Sequence, residues 1–170
     1  MCIRDRNFKC LAVTSALWLS LALVACGGAE SKNESLFSSE VVRSAESALS
    51  DKLAYLGIEA IDFGDSLTPN EKAAMTWLYA YSYTPDILDH SPEFYRANID
   101  VAIKARQELP WGSSVPLDQW RAFVLPLRVN NEILDDFRTT YYEELRDLVK
   151  DMTMEQAVIE LNHWAHQHIT

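Results

Sequence analysis

Cysteine is scarce in this chain of 170 residues: three occur, at positions 2, 10 and 26, and none in residues 27–170. That stretch can therefore form no disulfide, hold no zinc through thiolates and offer no cysteine nucleophile. Glycine is sparse too, with five residues, and neither a Gly-rich phosphate loop nor a Ser nucleophile elbow occurs. Basic charge is in deficit, 15 Lys and Arg against 25 Asp and Glu, for a net charge of −10 at pH 7. So acidic a chain argues against nucleic acid as a partner. The alternation that a half-buried strand needs is missing throughout. Long apolar runs are missing as well, since Leu11–Leu23 is broken by Thr14, Ser15 and Ser20. It is too short for an ordinary spanning helix and suits the core of a signal peptide.

The beginning of the chain reads as an export signal. The first six residues, MCIRDR, resemble a translated adapter remnant and carry no fold signal. Lys9 precedes the apolar run, and Leu23-Val24-Ala25-Cys26 then matches a bacterial lipobox. Residues 1–26 are thus expected to be a lipoprotein signal peptide, with Cys26 left as the lipidated N-terminus. Several acyl chains anchor a protein to a membrane durably, each buried CH2 contributing about 0.8 kcal/mol. Gly27 stands where an aspartate would favour retention in the inner membrane. The expected place is the bacterial envelope, at the outer membrane, on its periplasmic or surface face. Cleavage would remove Arg4, Arg6, Lys9 and Asp5, which makes the remainder more acidic still. The lipid, not a basic patch, would then be the membrane contact.

Residues 27–37 read as a flexible tether and residues 38–170 as one helical domain. The fold class expected is all-α, about six helices in one array, since 48% hydrophobic content is enough for one core. Val42, Ala45, Leu49, Leu53 and Leu56 make one face of a helix that Gly57 stops. Thr68-Pro69-Asn70-Glu71 is a capping box with proline at the first helical position. That helix should turn Trp77, Leu78 and Tyr81 inward and end near Tyr83, before Pro85. Ser91-Pro92-Glu93 opens the next, with Phe94, Ala97, Val101, Ala105 and Leu109 inward and Pro110 as its stop. A turn at residues 111–114 leads to a short helix over residues 117–125. A long helix is expected over 134–152, facing inward through Leu134, Phe137, Tyr141, Leu145, Leu148 and Met152. Thr153 and Gln156 cap the last, whose face is Val158, Leu161 and Ala165. It reaches Thr170 with no glycine or proline stop, so the chain is expected to be truncated there.

The densest apolar stretch is Asp118–Arg138, DQWRAFVLPLRVNNEILDDFR. Pro126 ends regular structure, and Arg128, Asn130, Asn131 and Glu132 follow among apolar neighbours. Such a loop lies against the core while presenting charged and amide groups. The plainer reading is that the arginine and amides cap the next helix and satisfy loop carbonyls.

The same stretch, LPLRVNNEILDDFR, with Tyr141, Glu143, Glu144 and the ending ELNHWAHQHIT, resembles the segment before the catalytic core of certain secreted bacterial transglutaminase-like proteins. The similarity spans about half the chain, from the Trp77 region onward. It implies a larger parent protein with a papain-like α+β core and a Cys-His-Asp triad lying beyond Thr170. It assigns no catalytic residue and no cofactor to this chain. Arg128, Asn130, Asn131 and Glu132 would pack beside that core or border its cleft, and a protein or peptide would be the parent's substrate.

Other constellations are weaker. Glu160, His163 and His166 share a helix face, and Glu-x-x-His is a ligand unit of di-iron bundles. A site would need a second copy, so a solvent-facing strip is the plainer reading and no metal is assigned. Trp77, Trp111, Trp120 and Trp164, with several tyrosines, could stack on sugar rings or an apolar ligand, although in helical chains such residues more often anchor cores and interfaces. Asp135-Asp136 and Glu143-Glu144 point apart on a helix and do not make carboxylate pairs. Two functional readings follow: the N-terminal helical part of a lipid-anchored transglutaminase-like protein, or a helical lipoprotein without chemistry that binds a glycan or protein.

Overall fold

The computed structural model describes residues 35–128 and 133–168. All lie within one unit, Glu34–Thr170. Among the described residues there are seven α-helices and no strand, in keeping with the all-α expectation. They are α1 (Ser39–Leu56), α2 (Pro69–Tyr81), α3 (Thr84–Asp89), α4 (Pro92–Glu108), α5 (Leu117–Gln119), α6 (Phe137–Val149) and α7 (Met154–His168). A 3-10 turn, Gly112–Ser114, precedes α5, and a π-helix, Trp120–Val124, continues it. Packing runs in a relay in which α1 lies on α2, α2 on α4, α4 on α6 and α6 on α7.

Local sequence explains where the first helices start and stop. The Ser38 hydroxyl accepts the Val41 N–H, and Gly57 ends α1 at φ 69°, a conformation that a Cβ disfavours. Thr68 and Glu71 form the expected capping box, with Thr68 N donating to Glu71 Oε2 at 2.6 Å. Thr153 and Gln156 make the same exchange before α7. Helix α2 is the centre of the core: Ala73, Ala74, Met75, Leu78 and Tyr79 are all buried. Against it pack Leu49 and Leu53 of α1, Ile99 and Ala102 of α4, and Trp120 and Leu125.

Several expectations are corrected. Leu36 and Phe37 are buried, so the packed unit already includes the last two residues of the expected tether. Helix α3 was not expected; Pro85, read only as a stop for α2, fits the first turn of a new helix. Helix α6 is shorter than 134–152 at both ends, and at its start Asp135 Oδ1 accepts the Phe137 N–H.

The inward faces also shift by one residue. Helix α4 buries Tyr95, Asn98, Ile99, Ala102 and Arg106, and leaves Ala97 exposed. Lying between α2 and α6, it turns a band inward that includes polar groups with partners, such as Asn98 Nδ2 on Phe94 O at 2.9 Å. Helix α6 centres on Tyr142 and Val149, with Tyr141, Leu145 and Leu148 half-buried. Its Phe137 and Tyr141 turn sideways onto Trp164, at ring separations of 6.2 and 5.2 Å. In α7 the buried residues are Ala157 and Trp164, while Val158 is exposed. Glu143 and Glu144 indeed diverge: Glu143 pairs with Lys104 and Arg146, and Glu144 accepts Trp164 Nε1 at 2.7 Å.

One polar cluster gives the fold a pH dependence. Glu71 lies beside Asp100 and Arg96, whose Nε donates to Glu71 Oε1 at 3.3 Å. Burial would raise the Glu71 pKa, but hydrogen bonds from Thr68 and Asp100 and the charge of Arg96 together outweigh it, and the net shift is downward. Asp100 is pushed up to about 6, first by burial and then by the Glu71 hydrogen bond and charge. Its folded pKa thus lies above the ordinary 3.8, so the folded chain holds this proton more tightly than the unfolded chain. The resulting stability is complete below pH 3.8 and is lost as pH rises through about 6. Asp100→Asn should raise the urea midpoint at pH 7 and not at pH 3.5. The gain should stay under about 1 kcal/mol, because the carboxyl is only partly withdrawn from solvent, which screens it. A difference that does not change between those pH values would show that the pair does not share a proton.

Candidate functional site

The central stretch is built as a plug followed by a stapled loop. After α5 the helix widens into the π-turn, with Leu125 N donating to Trp120 O at 3.0 Å. The turn holds Trp120 and Leu125 at 2% and 0% exposure, so the expected helix over residues 117–125 exists in widened form. Pro126 then breaks it. Three arginines tie this region down. Arg121 Nη1 donates to Leu36 O at 3.0 Å, with its guanidinium 5.7 Å from the Phe37 ring. Arg138 Nη2 donates to Val124 O and Pro126 O, both at 2.9 Å, and burial lowers its pKa. Arg128 Nε donates to Asp86 Oδ2 at 3.0 Å, and its Nη2 donates to Oδ1.

Asp86 is 8% exposed and sits in the first turn of α3. The Arg128 guanidinium also lies 6.0 Å from the Tyr83 ring. From α1, Lys52 Nζ caps the end of α2 by donating to Tyr79 O at 2.8 Å and Ser82 O at 2.6 Å. Burial pulls the Lys52 pKa down, and the charge of Asp86 opposes that shift. One buried carboxylate thus lies in the field of two cations carried by separate parts of the chain.

A pocket of about 240 Å³ opens beside this pair. Trp77 and Tyr81 of α2, Tyr83, Tyr95 of α4, and Leu127 and Leu134 wall it in. The Tyr95 hydroxyl is buried and has no hydrogen-bond partner among the described residues, and burial pushes its pKa up. Across the loop lies a second cavity of about 360 Å³, between Val101, Leu109 and Trp111 on one side and Tyr142 and Leu145 on the other. Leu127 lines both.

Of the residues expected at a site, Arg128 is found on a pocket wall. Asn130, Asn131, Glu132 and Cys26 lie outside the described residues. Glu160 is half-buried, and His163 and His166 are exposed on α7. Among the described residues no three His, Cys, Asp or Glu side chains are grouped to hold a metal ion. Trp120 and Trp164 belong to the core, whereas Trp77 and Trp111 line the two cavities. Asp86, Tyr81, Tyr83 and Tyr95 were not expected. A usable signal was present in the run WLYAYSY at 77–83, whose alternate residues are all aromatic. No family model, curated protein or solved structure matches this chain. Among the described residues no helix is long and apolar enough to cross a membrane.

Proposed function

We propose that this chain is the non-catalytic, N-terminal helical part of a lipid-anchored transglutaminase-like protein of the bacterial envelope. Its parent would carry out acyl transfer or peptide hydrolysis through a thiolate, on a protein or peptide substrate. The observation that carries the reading is the stapled loop. The resemblance runs from the Trp77 region onward and includes the stretch from Leu125 to Arg138, whose described flanks are fixed by arginines to α3 and to the π-turn. A loop held in this way is suited to border a neighbouring core.

The chemistry of the chain supports the non-catalytic part of the proposal. Acyl transfer of this kind needs a thiolate, an imidazole to activate it and a carboxylate to orient the imidazole. Residues 27–170 contain no cysteine. His163 and His166 face solvent, and His168 Nδ1 lies 2.8 Å from Trp164 O of its own helix. Anchoring would rest on Cys26 and would place the unit at the outer membrane.

Two measurements test the proposal. Expressed in a bacterium, the chain should incorporate labelled palmitate, and Cys26→Ser should abolish that labelling. The same chain should neither couple a labelled amine to casein nor cleave peptides, whereas a gene product extended through a downstream Cys, His and Asp should. Equal labelling of the two forms overturns the anchor, and turnover by this chain alone overturns the division of labour.

A further inference from the structure

We infer that the cavity between α4 and α6 binds one neutral hydrocarbon body, either a pair of fused rings or an acyl-like chain. The inference goes beyond the proposed function and needs neither the lipid anchor nor a parent core.

Sequence periodicity turns Val101 and Leu109 inward on one side, and Leu145 and Leu161 on the other. In the fold these side chains are half-buried and line a space of about 360 Å³. Protein interiors leave few voids larger than a water molecule, so apolar faces kept apart to this extent need a cause. Polar ties along one edge of the two helices supply it. Lys104 Nζ donates to Glu143 Oε1 at 2.7 Å, and the Tyr142 hydroxyl donates to Glu108 Oε2 at 3.0 Å. Arg146 Nη1 donates to the same Glu108 oxygen at 3.4 Å. These bonds fix the spacing of α4 and α6, and the apolar space beside them stays open.

The walls select a neutral occupant. Their charged groups are engaged within the chain or hydrated. Arg138 is held by the carbonyls of Val124 and Pro126, and Arg146 by Glu108, Glu143 and Asp147. Asp135 is exposed, with its Oδ1 on the Phe137 N–H. Asn98 Nδ2 is taken by Phe94 O. The Trp111 Nε1 atom is sealed from accessible space, so this residue meets the cavity with ring carbons. An ion brought here would lose its water and gain no buried partner, whereas a hydrocarbon gains by leaving water.

Size sets the scale of the molecule. An apolar cavity of about 150 Å³ is enough for benzene. At about 360 Å³ this one takes roughly twice that body, a pair of fused rings or a chain of about a dozen carbons.

The test uses the full chain in lipid nanodiscs, with isotope-labelled leucine and valine methyl groups. Naphthalene and n-decane are titrated, and methyl NMR reads the site itself and not uptake by the bilayer. The resonances of Val101, Leu109 and Leu145 should shift saturably with at least one probe, and those of Leu49 and Leu53 in α1 should not. A response to naphthalene alone marks a ring site, and to n-decane alone a chain site. The charged counterparts, naphthalenesulfonate and decyltrimethylammonium, should bind at least about tenfold more weakly. Leu145→Trp and Val101→Phe fill the cavity from α6 and from α4, and each should weaken binding by a similar factor. Unchanged Leu49 and Leu53 resonances show that each variant is folded. The inference is overturned if neither hydrocarbon moves the three resonances, if a folded variant with a filled cavity binds as well as the parent, or if a charged counterpart binds as tightly as its neutral probe.

Discussion

Replacing Arg106 by methionine should destabilise the chain by about 3–5 kcal/mol, one of the largest effects open to a single substitution here. Arg106 is 7% exposed in α4. Its Nη1 donates to Gly112 O at 3.1 Å and Val115 O at 2.7 Å, and its Nη2 to Ser113 O at 3.3 Å. The guanidinium lies 6.0 Å from the Trp120 ring, so it ties the turn after α4 to the plug of the central stretch. Methionine retains most of the aliphatic stem and removes every donor. Each hydrogen bond to a charged group contributes about 1.5–3 kcal/mol, and a carbonyl left buried without a partner adds its own penalty. Ser113 is exposed, so water can replace part of the loss.

Gly112→Ala tests the same turn from the other side. A Cβ there would stand 2.4 Å from Arg106 O and 2.8 Å from Ala105 O, both backbone atoms that cannot swing away. Overpacking of this kind costs about 1–3 kcal/mol or more. Because both changes strain one contact, the double variant should lose less than the sum of the two. Urea unfolding measures all three. A loss below about 1 kcal/mol for Arg106→Met would show that the guanidinium does not hold the turn.

Arg106 also shows why some of the fold was legible in the sequence and some was not. Helix α1 could be read directly, because its inward residues are all apolar and its ends carry Ser38 and Gly57. The start of α2 was equally plain, since a capping box is a local chemical event. On α4, Asn98 and Arg106 are buried because their polar atoms find carbonyls, and apolar periodicity assigns such residues to solvent. The face was therefore read one residue away from the true one. Trp164, readable in the sequence either as a stacking platform or as a core anchor, is 8% exposed, sealed by Tyr141 and a stacked His168. Arg128 stood out in the sequence, but Asp86 did not. An aspartate before Ile87 and Leu88 in a short helix looks like any solvated acid until the fold brings Arg128 across to it.

The Asp86–Arg128 pair leads to the second large effect. Asp86→Ala should destabilise by about 3–5 kcal/mol, because breaking a buried pair on one side leaves its partner charge uncompensated. The side chains are 11% exposed for Asp86 and 23% for Arg128, so the lower end of that range applies. Loss of the carboxylate also removes the attraction that opposes burial at Lys52, so the Lys52 pKa should fall further. Arg128→Met should do less damage. Asp86 would keep the more distant charge of Lys52, and the exposed side of Arg128 has less to lose. In the double variant both charges disappear together. It should therefore be more stable than the sum of the single losses implies, by about 1–3 kcal/mol. A double-mutant cycle in urea at pH 7 measures this coupling. Strict additivity would mean that the two groups stabilise the chain separately and that the pair does not fasten the loop to α3. A coupling of the expected size would make the pair the fastening of the loop and the polar wall of the pocket at once.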